Sequence, residues 1–287
     1  MKNLRFDSSW ITMYVLLVQL MDQELSQKCD LTLTQYRIIF TLTQGPSAQR
    51  IGVIAKTIGL KPSSVTEAVN YLVSRGLVSR DYDDSEDRRA ARIRLQKAGY
   101  NLLEEADKVL VAMILEVWGP EYDTETRRSI FKQAAKSVIA IGQVRIENST
   151  IRADTAYLIS VLIGYTSAVE GVRAEGFSLS QYRVMLRLSE VGAPLCCADV
   201  SHDLLMKSNA VSVACDGLVE RGMIERQRAD DRRYVLIRLT KQGKAMVDKI
   251  TRGIGRDRGQ RSPVCTPEEN ELFLELAANI VDRFRTR

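Results

Sequence analysis

The chain carries one sequence plan twice, and this repetition constrains its fold more than any other feature. Thr34-Gln35-Tyr36-Arg37-Ile38 returns as Ser180-Gln181-Tyr182-Arg183-Val184, an offset of 146 residues. The same offset pairs Lys61 with Lys207, Val65 with Val211, Leu72-Val73 with Leu218-Val219, Arg75-Gly76 with Arg221-Gly222, and Arg80 with Arg226. Beyond Arg80 the offset becomes 144: Asp87-Arg88-Arg89 matches Asp231-Arg232-Arg233, and Ile93-Arg94-Leu95 matches Ile237-Arg238-Leu239. A short deletion at one place is what a hairpin tip absorbs. The repeat predicts two units, 1–146 and 147–287, each of a size that builds its own core.

Apolar periodicity predicts the same order of elements in each unit. Ser8 or Ser9 caps a helix that turns Trp10, Ile11, Tyr14, Val15, Leu17, Val18, Met21 and Leu25 to one side. Thr34 caps a second helix, which Gly45-Pro46 ends. Ser47 opens a third, closed by Gly59. Pro62 starts a fourth, which keeps Val65, Ala68, Val69 and Leu72 inward and stops at Gly76. Residues 77–81 and 91–95 read as two strands around a charged tip. Helices over 97–117 and 124–143 complete the unit. The second half repeats the plan as helices 154–172, 180–189, 195–204 and 208–221, a hairpin over 223–239, and helices 241–251 and 267–285. Residues 252–263 read as a basic, glycine-bearing loop.

Composition excludes several classes of function. Aromatic residues, at 6%, are too sparse for broad stacking platforms on single-stranded nucleic acid. The one histidine, His202, lies between Ser201 and Asp203, but consecutive helical residues point apart and form no relay. We therefore expect no enzyme, no metal and no cofactor. Five cysteines without framework spacing (Cys29, Cys196, Cys197, Cys215, Cys265) fit a reduced, cytoplasmic setting. Cys215 aligns with the inward Val69. Cys29 and the Cys196-Cys197 pair are the places to look for a redox role, although no neighbour in sequence activates their thiols. The longest apolar runs, such as 13–18 and 161–163, fall short of a bilayer span, and no secretory signal is read. The net charge of +5 is shared between the halves, which permits an anionic partner without a basic tail.

Three short helices followed by a two-stranded hairpin make a winged helix-turn-helix. The fourth helix of each unit is amphipathic, with small polar side chains free to enter a major groove about 12 Å wide. The hairpin tip carries arginines that reach a phosphate or the adjacent minor groove. The ordered segments LTLTQYRIIFTL, IAKTIGLKPSSVTEAVNYLVSRGLVSR and DRRAARIRLQKAG fill the first half; FSLSQYRVMLRL, VSVACDGLVERGMIER and DRRYVLIRLTKQG fill the second. Each set resembles one subunit of the multiple-antibiotic-resistance regulator (MarR) family. The resemblance implies a dimer of winged-helix subunits joined by their terminal helices. It also implies binding to a pseudo-palindromic operator in double-stranded DNA, and release by a small-molecule effector or by oxidation. Two such units in one chain imply a mainly α-helical, single-chain pseudo-dimer with a small two-stranded wing on each domain. Such a chain presents two recognition helices roughly 34 Å apart, needs no second copy, and is expected to repress. Because the halves have diverged, its site need not be symmetric.

The residues expected to contact DNA are Lys61, Ser63, Ser64, Thr66 and Asn70 in the first half, and Lys207, Ser208, Asn209 and Ser212 in the second. Arg88, Arg89, Arg232 and Arg233 occupy the wing tips. Relatives commonly place an arginine in the recognition helix after a Thr or Ser. Here that position holds Glu67, after Thr66, and Val213, after Ser212. Glu67 can accept from a cytosine amino group, although a carboxylate near phosphates is more often repelled, whereas Val213 offers only apolar contact. Asp216, opposite Asn70 in the repeat, is unfavourable near phosphates. Direct readout is expected to be weaker than in relatives, with more reliance on the wings and on DNA shape. By the same resemblance, an effector pocket would be lined by Trp10, Tyr14, Tyr36 and Arg37 in one half, and by Tyr157, Tyr182 and Arg183 in the other. The alternative is a degenerate regulator that acts through protein–protein contacts with little sequence-specific DNA binding.

Overall fold

A computed structural model describes residues 6–81, 91–120, 122–140, 153–228, 235–261 and 266–286. The chain divides into two compact units, Leu17–Leu158, and Met1–Leu16 together with Ile159–Arg287. The described residues up to Leu16 thus belong with the later part of the chain. The expected boundary between 146 and 147 lies outside the described residues.

Helix α1 (Ser8–Cys29) begins in the second of these units. Its cap is Asp7, whose carboxylate accepts the Trp10 amide at 2.9 Å. Ser8 does not cap, because it is already helical and its amide and hydroxyl donate to Glu190 at 2.7 and 2.5 Å.

In the Leu17–Leu158 unit, α2 (Leu33–Thr43) is followed by β1 (Ala48–Arg50), α3 (Ile51–Ile58) and α4 (Pro62–Ser74). Then come β2 (Val78–Asp81), β3 (Arg92–Leu95), α5 (Lys97–Trp118), α6 (Thr124–Ala140) and the start of α7 (Ala153–Ala174). Thr32 rather than Thr34 caps α2. It forms a reciprocal pair with Gln35, the two bonds measuring 3.2 and 2.8 Å. The wing has three strands rather than two, in the order β1-β3-β2, all antiparallel. β1 escapes a sequence reading because it is three residues long and its inward residue is polar. Gln49 is buried and donates to the Thr41 carbonyl at 3.0 Å.

The other unit continues from α7 with α8 (Leu179–Val191), β4 (Leu195–Cys196), α9 (Cys197–Asp203), α10 (Ser208–Glu220), β5 (Ile224–Arg228) and β6 (Val235–Leu239). It ends with α11 (Lys241–Arg261) and α12 (Pro267–Arg285). Its sheet repeats the topology, β4-β6-β5. Helix α11 does not give way to a loop after Thr251. Val247, Ile250 and Ile254 continue a buried row at three- and four-residue spacing through the glycines.

The same internal contacts recur in both units at the repeat offsets. Arg75 donates to the Asp30 carbonyl at 2.6 Å, and Arg221 to the Gly176 carbonyl at 2.7 Å. Asp30 and Gly176 both adopt positive φ, 50° and 77°. Arg37 and Arg183 donate to the carbonyls of Ile58 and Leu204. A Cβ on Gly99 would fall 2.4 Å from the Leu77 carbonyl oxygen, and one on Gly243 2.1 Å from that of Met223. Only glycine lets α5 and α11 start this close to the backbone that enters the wing.

Helix α7 is long and apolar enough, by length and composition, to cross a bilayer. Contiguous runs miss this, because Gly164, Thr166 and Ser167 interrupt the apolar residues without adding charge. Of its most apolar stretch, 56% is buried inside the protein. A helix apolar on most sides suits a core position.

Candidate nucleic-acid interface

Helices α4 and α10 are each thirteen residues long and bury a matched row, Val65, Ala68, Val69 and Leu72 in one and Val211, Ala214, Cys215 and Leu218 in the other. The opposite face is open. In α4 it carries Ser63, Glu67 and Asn70, spaced by four and three and therefore on one side of the helix. In α10 the same places hold Asn209, Val213 and Asp216, all exposed. Lys61 and Lys207 stand exposed at the two N-caps, and Ser64, Ser208 and Ser212 are exposed beside them. Thr66 is half-buried, and its hydroxyl donates back to the Pro62 carbonyl at 2.9 Å.

In each unit an arginine of the sheet reaches this face. Arg80 of β2 donates to the Asn70 side chain, and Arg226 of β5 holds the Asp216 carboxylate at 2.5 Å. Asp216 is thus ion-paired within its own unit. The recurrence of Arg80 and Arg226 ten residues after a polar recognition-helix residue is the signal that would have revealed the pairs. Within the sheets, Arg94 bonds Asp81 at 2.6 Å and Arg238 bonds Glu225. The Arg94 guanidinium holds the Asp81 carboxyl below its ordinary range. Arg88, Arg89, Arg232 and Arg233 lie outside the described residues.

The expected effector residues are held mostly in packed surroundings. Tyr36 is fully buried and its hydroxyl donates to Asp107 at 2.8 Å; the Thr155 hydroxyl donates to the same carboxylate at 3.1 Å. Tyr157 is buried edge-on against Trp118, with ring centroids 5.0 Å apart. Arg37 is half-buried. In the other unit, Trp10 is buried and meets the half-buried Tyr14 edge-on at 4.2 Å. Tyr14 in turn lies where a side chain on Gly164 would be. Tyr182 is buried, with its hydroxyl 2.7 Å from that of Thr251. Arg183 is buried and also donates to Thr12 at 3.2 Å; burial lowers its pKa to about 10. Trp10 and Tyr14 therefore share a compact unit with Tyr182 and Arg183, and Tyr157 shares one with Tyr36 and Arg37.

None of the seven lines the open cleft of about 510 Å³ formed by Leu115, Thr124, Arg127, Arg128, Phe131, Lys132, Ala153 and Asp154. None lines the cleft of about 220 Å³ near Leu188, Gly192, Arg238 and Lys244.

Cys29 and Cys215 are buried, which pushes both thiols up, that of Cys215 to about 12 with Cys197 as its hydrogen-bonding neighbour. The Cys196 sulfur accepts the Asp199 amide at 3.4 Å and so caps α9. Cys265 lies outside the described residues. The His202 side chain is mostly exposed; its neighbour Asp203 pairs with Arg187 at 2.8 Å. Among the described residues no group of three His, Cys, Asp or Glu side chains is placed to hold a metal ion.

Residues 30–90 match the model of the MarR family. Over 77 residues the chain is 38% identical to YhbI, an uncharacterised HTH-type transcriptional regulator of Bacillus subtilis (strain 168). That alignment takes in 27% of this chain and 49% of YhbI, so the chain spans about half the length of the curated relative it matches. Among solved structures, apo MarR from E. coli is 20% identical, with a TM-score of 0.39 over 46% of this chain and 98% of that one. A mutant of the E. coli protein, complexed with operator DNA, is 21% identical, with a TM-score of 0.36 over 41% of this chain and 85% of that one.

Proposed function

We propose that this chain is a DNA-binding transcription regulator of the MarR family in which two subunits are fused into one polypeptide. The observation that carries this reading is the duplicated face of α4 and α10. Two helices of equal length bury the same row, expose three matched positions on one side, and sit in units pinned by the same Arg75-type and Arg37-type contacts. The match of residues 30–90 to the family model covers the first of these faces. In this reading the chain works in the cytoplasm as a single-chain pseudo-dimer and represses by occupying a promoter. Each recognition helix enters a major groove while Arg88, Arg89, Arg232 and Arg233 hold phosphates. A small-molecule effector releases the DNA by favouring one spacing of the two domains. The chain has no catalytic role.

A mobility-shift titration with the DNA upstream of the gene tests the proposal. Specific retardation that survives competitor DNA is expected. Only salt-sensitive, nonspecific binding would favour action through protein contacts instead. Replacing Arg89 and Arg233 together by Ala is expected to weaken binding to all sequences and to flatten its salt dependence.

A further inference from the structure

The two recognition faces differ where a base would be read. Glu67 and Val213 are one repeat apart, and each is the sixth residue of its helix. Both are exposed, Val213 to 71%. Each is flanked on the same side of the helix by a residue one turn before, Ser63 or Asn209, and one turn after, Asn70 or Asp216. The later neighbour is occupied in both units, Asn70 by Arg80 and Asp216 by Arg226. The centre of each face is therefore Glu67 in one unit and Val213 beside Asn209 in the other.

These side chains have opposite chemistry. A carboxylate only accepts hydrogen bonds, and the cytosine N4 amino group is the donor it fits best, since the adenine N6 amino group stands beside an N7 acceptor; purine N7 and the carbonyl oxygens of guanine and thymine repel it. Valine has neither donor nor acceptor and gains only from apolar contact, which in the major groove means the thymine methyl group. Asparagine one turn earlier is suited to adenine N6 and N7.

Resting on the DNA-binding reading above, we infer that the two halves of this chain read different base pairs. Glu67 selects C·G at the step where Val213 selects T·A, so the bound site is asymmetric. A chain with both recognition helices fused in it can keep this difference, which a symmetric homodimer cannot.

Selection from a randomised duplex library with the full chain tests the inference. The expected site has two half-sites about one turn apart, with C·G in one and T·A at the matching step of the other. Changing that C·G to T·A is expected to weaken binding about tenfold or more. Replacing the matching thymine by deoxyuridine removes one methyl group and is expected to cost roughly fourfold. Glu67→Val should convert the first preference from C·G to T·A, with its thermal unfolding midpoint close to that of the wild type because the position is exposed. Identical half-sites, a consensus unchanged by Glu67→Val, or indifference to deoxyuridine would overturn the inference and leave the regulator reading standing. Failure of the wild-type chain to enrich any sequence would overturn both.

Discussion

Arg226 reaches from β5 to hold Asp216 at 2.5 Å on the outer face of α10. On the DNA-binding proposal, Asp216 alone would set a negative charge against phosphates; Arg226 balances it with a positive one. Both side chains are about half exposed, so the pair adds at most about 1 kcal/mol to folding. Its effect is expected in binding. Arg226→Ala should lower DNA affinity about tenfold, since a like charge beside phosphate costs on the order of 1–2 kcal/mol. Asp216→Asn in the same chain should restore most of the loss. A double-mutant cycle by fluorescence anisotropy measures this directly; two additive losses would show that the pair does not mask the acid.

How much of this arrangement can be read from residues alone depends on what kind of residue carries it. The scaffold contacts are legible because their donors are the identities kept in both repeats, Arg37 with Arg183 and Arg75 with Arg221. Helix starts are less legible. The sequence reading caps α2 with Thr34, and only the reach of Gln35 back to the Thr32 amide shows that Thr32 holds the place. The third strand of each sheet is hidden because β1 and β4 are too short to show alternation. Spacing along the chain also does not reveal which aromatic residues share a unit. α1 begins in one compact unit and ends in the other, which places Trp10 and Tyr14 with Tyr182. Asp216 reads as a liability until the side chain that covers it, ten residues on, is seen.

Among the buried tyrosines, Tyr36 and Tyr182 give each unit its own response to alkali. Burial and the Asp107 carboxylate raise the Tyr36 pKa well above its ordinary value of 10, and burial raises that of Tyr182 in the other unit. Below pH 10 both phenols are neutral whether the chain is folded or not, and their contribution is fully present. As pH climbs past 10 the unfolded chain releases protons that the folded chain keeps, so the unfolded state binds fewer protons and stability falls. Cys215, pushed up to about 12, acts with the same sign. The urea midpoint should therefore decline above pH 10, and Tyr36→Phe with Tyr182→Phe should shallow that decline. At neutral pH, Tyr36→Phe should cost about 1.5–3 kcal/mol, because its partner is a carboxylate, and Tyr182→Phe about 0.5–1.5 kcal/mol, because its partner is a hydroxyl. Equal costs, or a pH profile unchanged in the double variant, would contradict the assignment.

The continuation of α11 past Thr251 can be tested with two glycines of opposite surroundings. Gly253 lies inside the helix, and a Cβ there would meet no atom within 4 Å. If the helix is continuous, Gly253→Ala removes backbone freedom from the unfolded chain without a clash. It should stabilise by about 0.5–1 kcal/mol, a rise of about 2–4 °C in Tm. Gly171, on α7, faces the same stretch of α11. A Cβ there would lie 2.9 Å from Cγ1 of Ile254, which is itself buried. Gly171→Ala gains similar helix propensity but must displace a packed side chain, at about 1–3 kcal/mol, so it should lower Tm. Were 252–261 a loop instead, Gly253→Ala would leave Tm unchanged and Ile254 would be free to yield to Gly171→Ala. The two midpoints moving in opposite directions is the outcome that only a continuous α11, seated on α7 through Ile254, produces.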